Sequence, residues 1–171
     1  MVQQRRSHRK FNGDEIDADS VRLILRAALM SPTSKGQRSW HFVLVDEPQV
    51  IERIADAKDL GAQFLKEAPL AVVVLGSPAQ NDCWVEDCSI AAYAMQLQAE
   101  DLGLGSCWAQ MRGRGLADGT SADTVLRGLL DIPEDMCCLC VLGIGHWTDE
   151  RKPQAEDRLK WEQVHLGLYS N

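Results

Sequence analysis

No stretch of the chain stays apolar for the ~20 residues that a membrane-spanning helix needs, so an integral membrane protein is not expected. The first residues also lack the apolar core of a secretory signal, which leaves a cytoplasmic location as the expectation. Positive charge is in deficit, with 18 Lys and Arg against 25 Asp and Glu and a formal net charge of -7. That balance disfavours a nucleic-acid binder, whose affinity rests on meeting phosphates with a net basic surface. The six cysteines (Cys83, Cys88, Cys107, Cys137, Cys138 and Cys140) are too sparse in 171 residues for a disulfide-stapled scaffold. They form no paired CxxC sets, so no metal site is expected. Nor is there a dinucleotide fingerprint. Gly103-Leu104-Gly105-Ser106-Cys107-Trp108 has too few glycines and follows a helical pattern, reading as a helix end running into a buried strand.

What is present suits one domain over residues 1–171, with no repeat and no low-complexity linker. Val21, Ile24, Leu25 and Ala28 fall at helical spacing after Asp17, a natural cap, and Pro32 closes that helix. A short strand is expected over Trp40–Val45, and a helix opened by Asp46 and Pro48 carries Val50, Ile51 and Ile54. Leu70–Leu75 is a continuous apolar run, as in a strand covered on both faces. The longest helix is predicted over Asp82–Leu102, where Ala91, Ala92 and Ala94 would let another helix approach closely. A strand near Ser106–Ala109, a helix near Ala122–Leu130 and a strand over Met136–Ile144 follow. Unbroken alternation in that last strand would put Cys138 and Cys140 on one face as buried, small hydrophobes. Such alternation of helices and strands predicts a three-layer α/β or α+β domain. From His146 onward the chain is polar and has little core-forming pattern of its own, which predicts that this tail is loose or lies across another subunit.

Two segments carry candidate binding chemistry. Arg5-Arg6-Ser7-His8-Arg9, with Lys10, is a cationic island in an acidic chain. It reads either as a solvated terminus or as an anion site, since guanidinium forks and a hydroxyl suit a phosphomonoester. An extended backbone would turn Arg5, Ser7 and Arg9 to one side. Ser31-Pro32-Thr33-Ser34-Lys35-Gly36-Gln37-Arg38-Ser39-Trp40 reads either as an ordinary connector or as a loop whose hydroxyls and amides could edge a flat heterocycle. His8, His41, His146 and His165 read as structural or surface residues rather than acid–base groups.

In their order and spacing, these segments resemble the nitroreductase family. The resemblance is carried by Arg5-Arg6-Ser7-His8-Arg9-Lys10-Phe11, then Ser31-Pro32-Thr33-Ser34-Lys35, then Trp40-His41-Phe42. The long helix leading into GLGSCW, the later Gly143-Ile144-Gly145-His146 and Trp161-Glu162-Gln163-Val164-His165 extend it over nearly the whole chain. It implies an α+β fold of three α/β/α layers with a mainly antiparallel central sheet flanked by helices. It further implies a homodimer whose C-terminal tail crosses to the partner subunit and which holds FMN at the interface. NADH or NADPH would be the co-substrate, delivering a hydride through flavin N5 to an electron-poor acceptor such as a nitroaromatic or quinone. No catalytic residue is implied, because the chemistry is the cofactor's.

By the same resemblance, Arg5 and Ser7 would face the phosphate and ribityl end, and Arg9 the pyrimidine edge, where a cation stabilises charge developing on reduction. Arg6 would contribute mainly through its backbone. Pro32, Thr33 and Ser34 would line the ring from the partner chain, and the backbone of Trp108, Ala109 and Gln110 would reach its N5 side. Arg151 and Lys152 would add phosphate-binding cations, with Arg158 a weaker substitute. The loop departs from the family pattern of Asn and then Gln-Pro, having Gly36, Arg38 and Ser39 in those places. Gly36 would remove an amide from the site, and Arg38 would bring a charge that favours anionic acceptors. Two other readings stay open, a flavin-binding protein without turnover (a carrier or redox sensor) and a phosphate- or nucleotide-binding module without redox function.

Overall fold

A computed structural model describes residues 1–169. Helix α1 (Ala18–Leu29) starts where the Asp17 carboxylate accepts the Ser20 N–H at 2.9 Å, satisfying one of the free amides of the first turn. After strand β1 (Trp40–Val45), helix α2 (Pro48–Ala55) begins with proline in its first turn, where the missing N–H costs nothing. Glu47 occupies its cap position, so Asp46 lies just outside the helix. Strand β2 (Leu70–Gly76) is buried throughout, as its β-branched run requires. Helix α3 (Trp84–Asp101) ends at Leu102, after which Gly103 turns left-handed (φ +75°) and Leu104 N–H bonds Ala99 C=O at 2.8 Å. Strand β3 (Gly105–Gln110), helix α4 (Ala122–Leu130, capped by Ser121) and strand β4 (Cys137–Gly145) complete the domain.

The four strands form one antiparallel sheet in the order β1-β2-β4-β3. One face buries Val72, Val74 and Leu142 against Ile24 and Ala28 of α1 and Ala91, Ala92 and Met95 of α3. The alanines let α1 approach α3, as their spacing predicts. The opposite face buries Val73, Leu75 and Val141 against Ile51 and Ile54 of α2, Leu65, and Leu126 of α4. The result is the expected three-layer α+β architecture. Among the described residues, no helix is long and apolar enough to cross a membrane.

One strand-level expectation is corrected. The register slips between Val74 and Leu75, so that Val74 pairs with Cys140 and Leu75 with Cys138. The extra residue, Leu139, bulges, and its carbonyl accepts both the Met111 and Arg112 N–H groups. A bulge shifts the phase of alternation by one. Cys138 therefore packs with the α2/α4 layer and Cys140 with the α1/α3 layer, on opposite faces rather than on one. All six thiols are free, and burial pushes Cys88 up to about 12, far from a reactive thiolate.

Outside the sheet, the N-terminal segment is threaded between two strips of chain. On one side Ser7 bridges Ser106 of β3, and His8 N–H bonds the Ser106 carbonyl at 3.1 Å. On the other side it runs beside the residues that follow β4. Asn12 N–H bonds His146 C=O, Thr148 N–H bonds Lys10 C=O, and Gln154 N–H bonds Gln3 C=O, at 2.9–3.1 Å. The first part of the polar tail is thus ordered by the chain's own N-terminus, a contact that no local pattern announces. Beyond it, Trp161, Val164, Leu166, Leu168 and Tyr169 are exposed.

Candidate functional site

The threaded segment holds its cations at the β3 edge of the sheet. Arg5 reaches toward α3, its guanidinium carbon 5.9 Å from the Tyr93 ring centroid. The Arg5 Nε is buried and has no hydrogen-bond partner among the described residues. Ser7, Arg5 and Arg9 all act on Cys107. Burial raises that thiol, and Arg9, the Ser7 hydroxyl and Arg5 counter the rise. Ser7 thus reaches the Cys107 thiol, and the positive charges of Arg9 and Arg5 act on it from the same segment.

Arg6 and His8 turn the other way, toward the residues after β4. The Arg6 guanidinium donates to the Lys152 carbonyl, and Arg6, Arg151, Lys152 and Arg158 line a cavity of about 510 Å³. Arg6 thus joins through its side chain rather than its backbone alone, and Arg158 stands beside the two cations ranked above it. His8 is buried, its ring stacked on Trp147 with centroids 4.8 Å apart, and its Nδ1 lies 3.0 Å from Asp149 Oδ1. Asp149 also accepts from Arg151 Nε and Nη2, both at 2.9 Å, and from the Arg9 amide at 3.3 Å. Burial alone would raise the Asp149 carboxyl, but the hydrogen bonds from His8, Arg9 and Arg151 hold it below the usual aspartate range.

Trp108, Ala109 and Gln110 lie on the same edge strand, beginning two residues beyond the Ser7–Ser106 bridge. Trp108 Nε1 donates to Gln110 Oε1 at 2.9 Å. The Gln110 carbonyl accepts from Lys58 Nζ at 2.8 Å. Lys58 is a buried ammonium, pulled below the usual lysine value by burial and by nearby Arg114. It and Asp149 are the two charged residues here that sequence reasoning missed. Neither stands in a motif, and only their burial marks them out.

The loop holding Pro32, Thr33, Ser34, Gly36 and Arg38 is placed elsewhere, at the N-terminal end of α3. Ser34 N–H bonds both oxygens of buried Asp87, at 2.9 and 3.1 Å, and Asn81 Nδ2 donates to the same carboxylate at 2.7 Å. Lys35, Gly36 and Arg38 all take left-handed φ values of 54°, 66° and 51°, and Arg38 N–H bonds Thr33 Oγ1 at 3.1 Å. A left-handed position suits Gly and tolerates Asn, so Gly36 meets a backbone demand whether or not a ligand is near. Where this loop ends, Ser39 Oγ and Trp40 Nε1 are buried without partners among the described residues. Among the described residues it makes no hydrogen bond or ion pair to the cationic segment.

A model of the nitroreductase family matches residues 2–60 and 56–146. The chain is 32% identical over 170 residues to a protein of Archaeoglobus fulgidus named "Putative NADH dehydrogenase/NAD(P)H nitroreductase", covering 96% of this chain and 94% of that one. Among solved structures, an FMN-dependent nitroreductase from Clostridium difficile R20291 is 39% identical, with a TM-score of 0.96 and 98% of each chain covered. A Bacteroides thetaiotaomicron protein bearing the archaeal relative's name is 28% identical, with a TM-score of 0.88, covering 98% of this chain and 95% of that one.

Proposed function

The chain belongs to the nitroreductase family, and from that premise we propose that it is an FMN-dependent oxidoreductase drawing electrons from NADH or NADPH. The observation that carries the cofactor is the Nε of Arg5, buried without a hydrogen-bond partner among the described residues, in a chain of net charge -7. A buried donor left without an acceptor costs about 1–3 kcal/mol, which an anionic ligand would recover. Two guanidinium groups and a hydroxyl, from Arg5, Arg9 and Ser7, fit the donors that a phosphomonoester and an electron-accepting ring edge require. When bound, FMN supplies a two-electron relay at N5 between NAD(P)H and an electron-poor acceptor such as a nitroaromatic or quinone. The chain's own task is then to bind, orient and charge-balance. Arg5 and Ser7 would hold the phosphate and ribityl end, with Arg6, Arg151, Lys152 and Arg158 as outer cations. Arg9 would stand at the pyrimidine edge, and the backbone of Trp108, Ala109 and Gln110 would line the reacting side. No side chain need move a proton as a catalytic acid or base.

We assign the working unit as a homodimer in a reducing cytoplasm, the second copy bringing Pro32, Thr33 and Ser34 to the ring. Support comes from the exposed apolar residues of the tail and from Leu29 and Met30 at the end of α1, more apolar surface than a monomer needs. Sedimentation equilibrium tests the dimer, and a monomeric holoprotein would refute it. For the activity, the purified protein should show flavin absorption that bleaches under NADH or NADPH and recovers with an acceptor. Arg5→Ala should weaken FMN tenfold or more, in line with about 1.5–3 kcal/mol for a charged hydrogen bond. A bound flavin that neither donor bleaches would favour a carrier or sensor over an enzyme, and a colourless protein that takes up no flavin would end both. Arg38, exposed at the loop tip, biases the site toward anionic acceptors. Equal catalytic efficiency for neutral and anionic acceptors in wild type and Arg38→Ala would sink that assignment.

A further inference from the structure

Asp149 stands four residues past β4, with its side chain only 11% exposed. Through this one carboxylate, the cationic segment (His8 and the Arg9 amide) is fixed to the cations after β4 (Arg151). The His8 end of the contact cannot drift. Its ring is pressed against Trp147 over Gly105, where an added Cβ would stand 2.8 Å from His8 Cβ and 2.9 Å from Trp147 Cβ. Arg6, Arg151, Lys152 and Arg158 line one cavity, together with Glu150, and the four cations repel one another. Asp149 is, among the described residues, the carboxylate that ion-pairs with one of these cations, offsetting part of that repulsion. It grips Arg151 through Nε and Nη2; among the described residues no hydrogen bond or ion pair engages Nη1, and Arg151 lines the cavity.

We infer that Asp149 is a positioning residue for the phosphate end of the ligand, acting by aiming Arg151 rather than by touching the ligand itself. The inference rests on the flavin reading above, with the phosphate being that of FMN. A carboxylate that merely stabilises the fold would affect every flavin alike. One that aims a phosphate-binding arginine would affect FMN and leave riboflavin, which has no phosphate, as it was.

The test uses the full chain stripped of any copurifying flavin and titrated with FMN and with riboflavin by fluorescence quenching. Wild type, Asp149→Asn, Arg151→Gln and the double variant are compared. Asp149→Asn is expected to weaken FMN about tenfold, the scale of one charge-assisted contact, and to shift riboflavin by less than about twofold. Arg151→Gln should show the same selective loss. The double variant should lose no more than the larger single loss, because both changes remove one interaction. An equal loss for both flavins, no loss for FMN, or losses that multiply in the double variant would overturn the inference. If Asp149→Asn does not fold, Asp149→Glu replaces it. That variant keeps the charge but displaces it by a methylene, and it should show a smaller FMN-selective loss. A loss shared by riboflavin, or none, overturns the inference there too. Wild type that binds neither flavin would overturn the flavin reading itself, a result separate from loss of FMN selectivity.

Discussion

Asp149 and Asp87 each tie down a segment expected to face a ligand, yet one collects cations and the other collects amides. Asp149, its side chain 11% exposed, pairs with Arg151 and His8, so its hold is electrostatic and open to acid. Asp87 is 3% exposed and accepts the Ser34 backbone N–H and the Asn81 amide, so its hold is local geometry. The cationic segment is extended and lies between two partner strips, whereas the Pro32–Arg38 loop turns through three left-handed residues on few contacts. One site component is thus placed by charge and the other by backbone shape. The two should fail differently.

The largest effect is expected at Asp87. Asp87→Ala would leave the half-buried Ser34 N–H and the buried Asn81 amide without their acceptor, a loss of about 3 kcal/mol. In a chain of this size that lowers Tm by roughly 6–12 °C in calorimetry, with little dependence on salt. A loss that vanished in high salt would break the distinction between the two carboxylates.

Gly105→Ala comes next. Its methyl group would meet His8 and Trp147, and His8 cannot yield without disturbing Asp149. Overpacking of this kind costs about 1–3 kcal/mol, and FMN affinity should fall along with stability. An alanine variant as stable as wild type, with unchanged FMN affinity, would show that the His8–Trp147 stack does not position the segment.

Acid sharpens the comparison at smaller amplitude. The Asp149 carboxyl is depressed in the folded state, so its contribution is present above the unfolded aspartate value and is lost as pH falls through the depressed one. Below about pH 4, the wild-type Tm should therefore fall more steeply than that of Asp149→Asn. Parallel acid limbs would mean that the carboxylate is not held by its cations.

The smallest effect is expected at Arg38, whose left-handed backbone costs a side-chain-bearing residue about 1 kcal/mol or somewhat more. Arg38→Gly relieves that strain but frees the unfolded chain, leaving a net gain of a few tenths of a kcal/mol. A clear drop in Tm would mean that the arginine side chain contributes contacts of its own.

Much of the fold was legible because its cues are local. The Asp17 cap, the Leu70–Leu75 run, the alanines of α3 and the Gly103 stop each act within a few residues, and each element formed close to its expected bounds. Arg5, Ser7 and Arg9 were legible as parts of one cationic segment for the same reason. The Leu139 bulge was not, because it follows from register against β2, and a strand's own sequence says nothing about its neighbour's phase. Asp149 and Lys58 were missed because an isolated acid and an isolated lysine look like surface charge until burial removes water from them. By itself, the sequence determined the element order, the acidic balance, and the island of cations that breaks it. Only the tertiary structure decided what those cations face. Placing residues 3–12 between β3 and residues 146–154 requires contacts across nearly the whole chain. No local periodicity encodes a contact at that separation, because the free energy that selects it comes from burial and hydrogen bonds that exist only once the sheet is assembled.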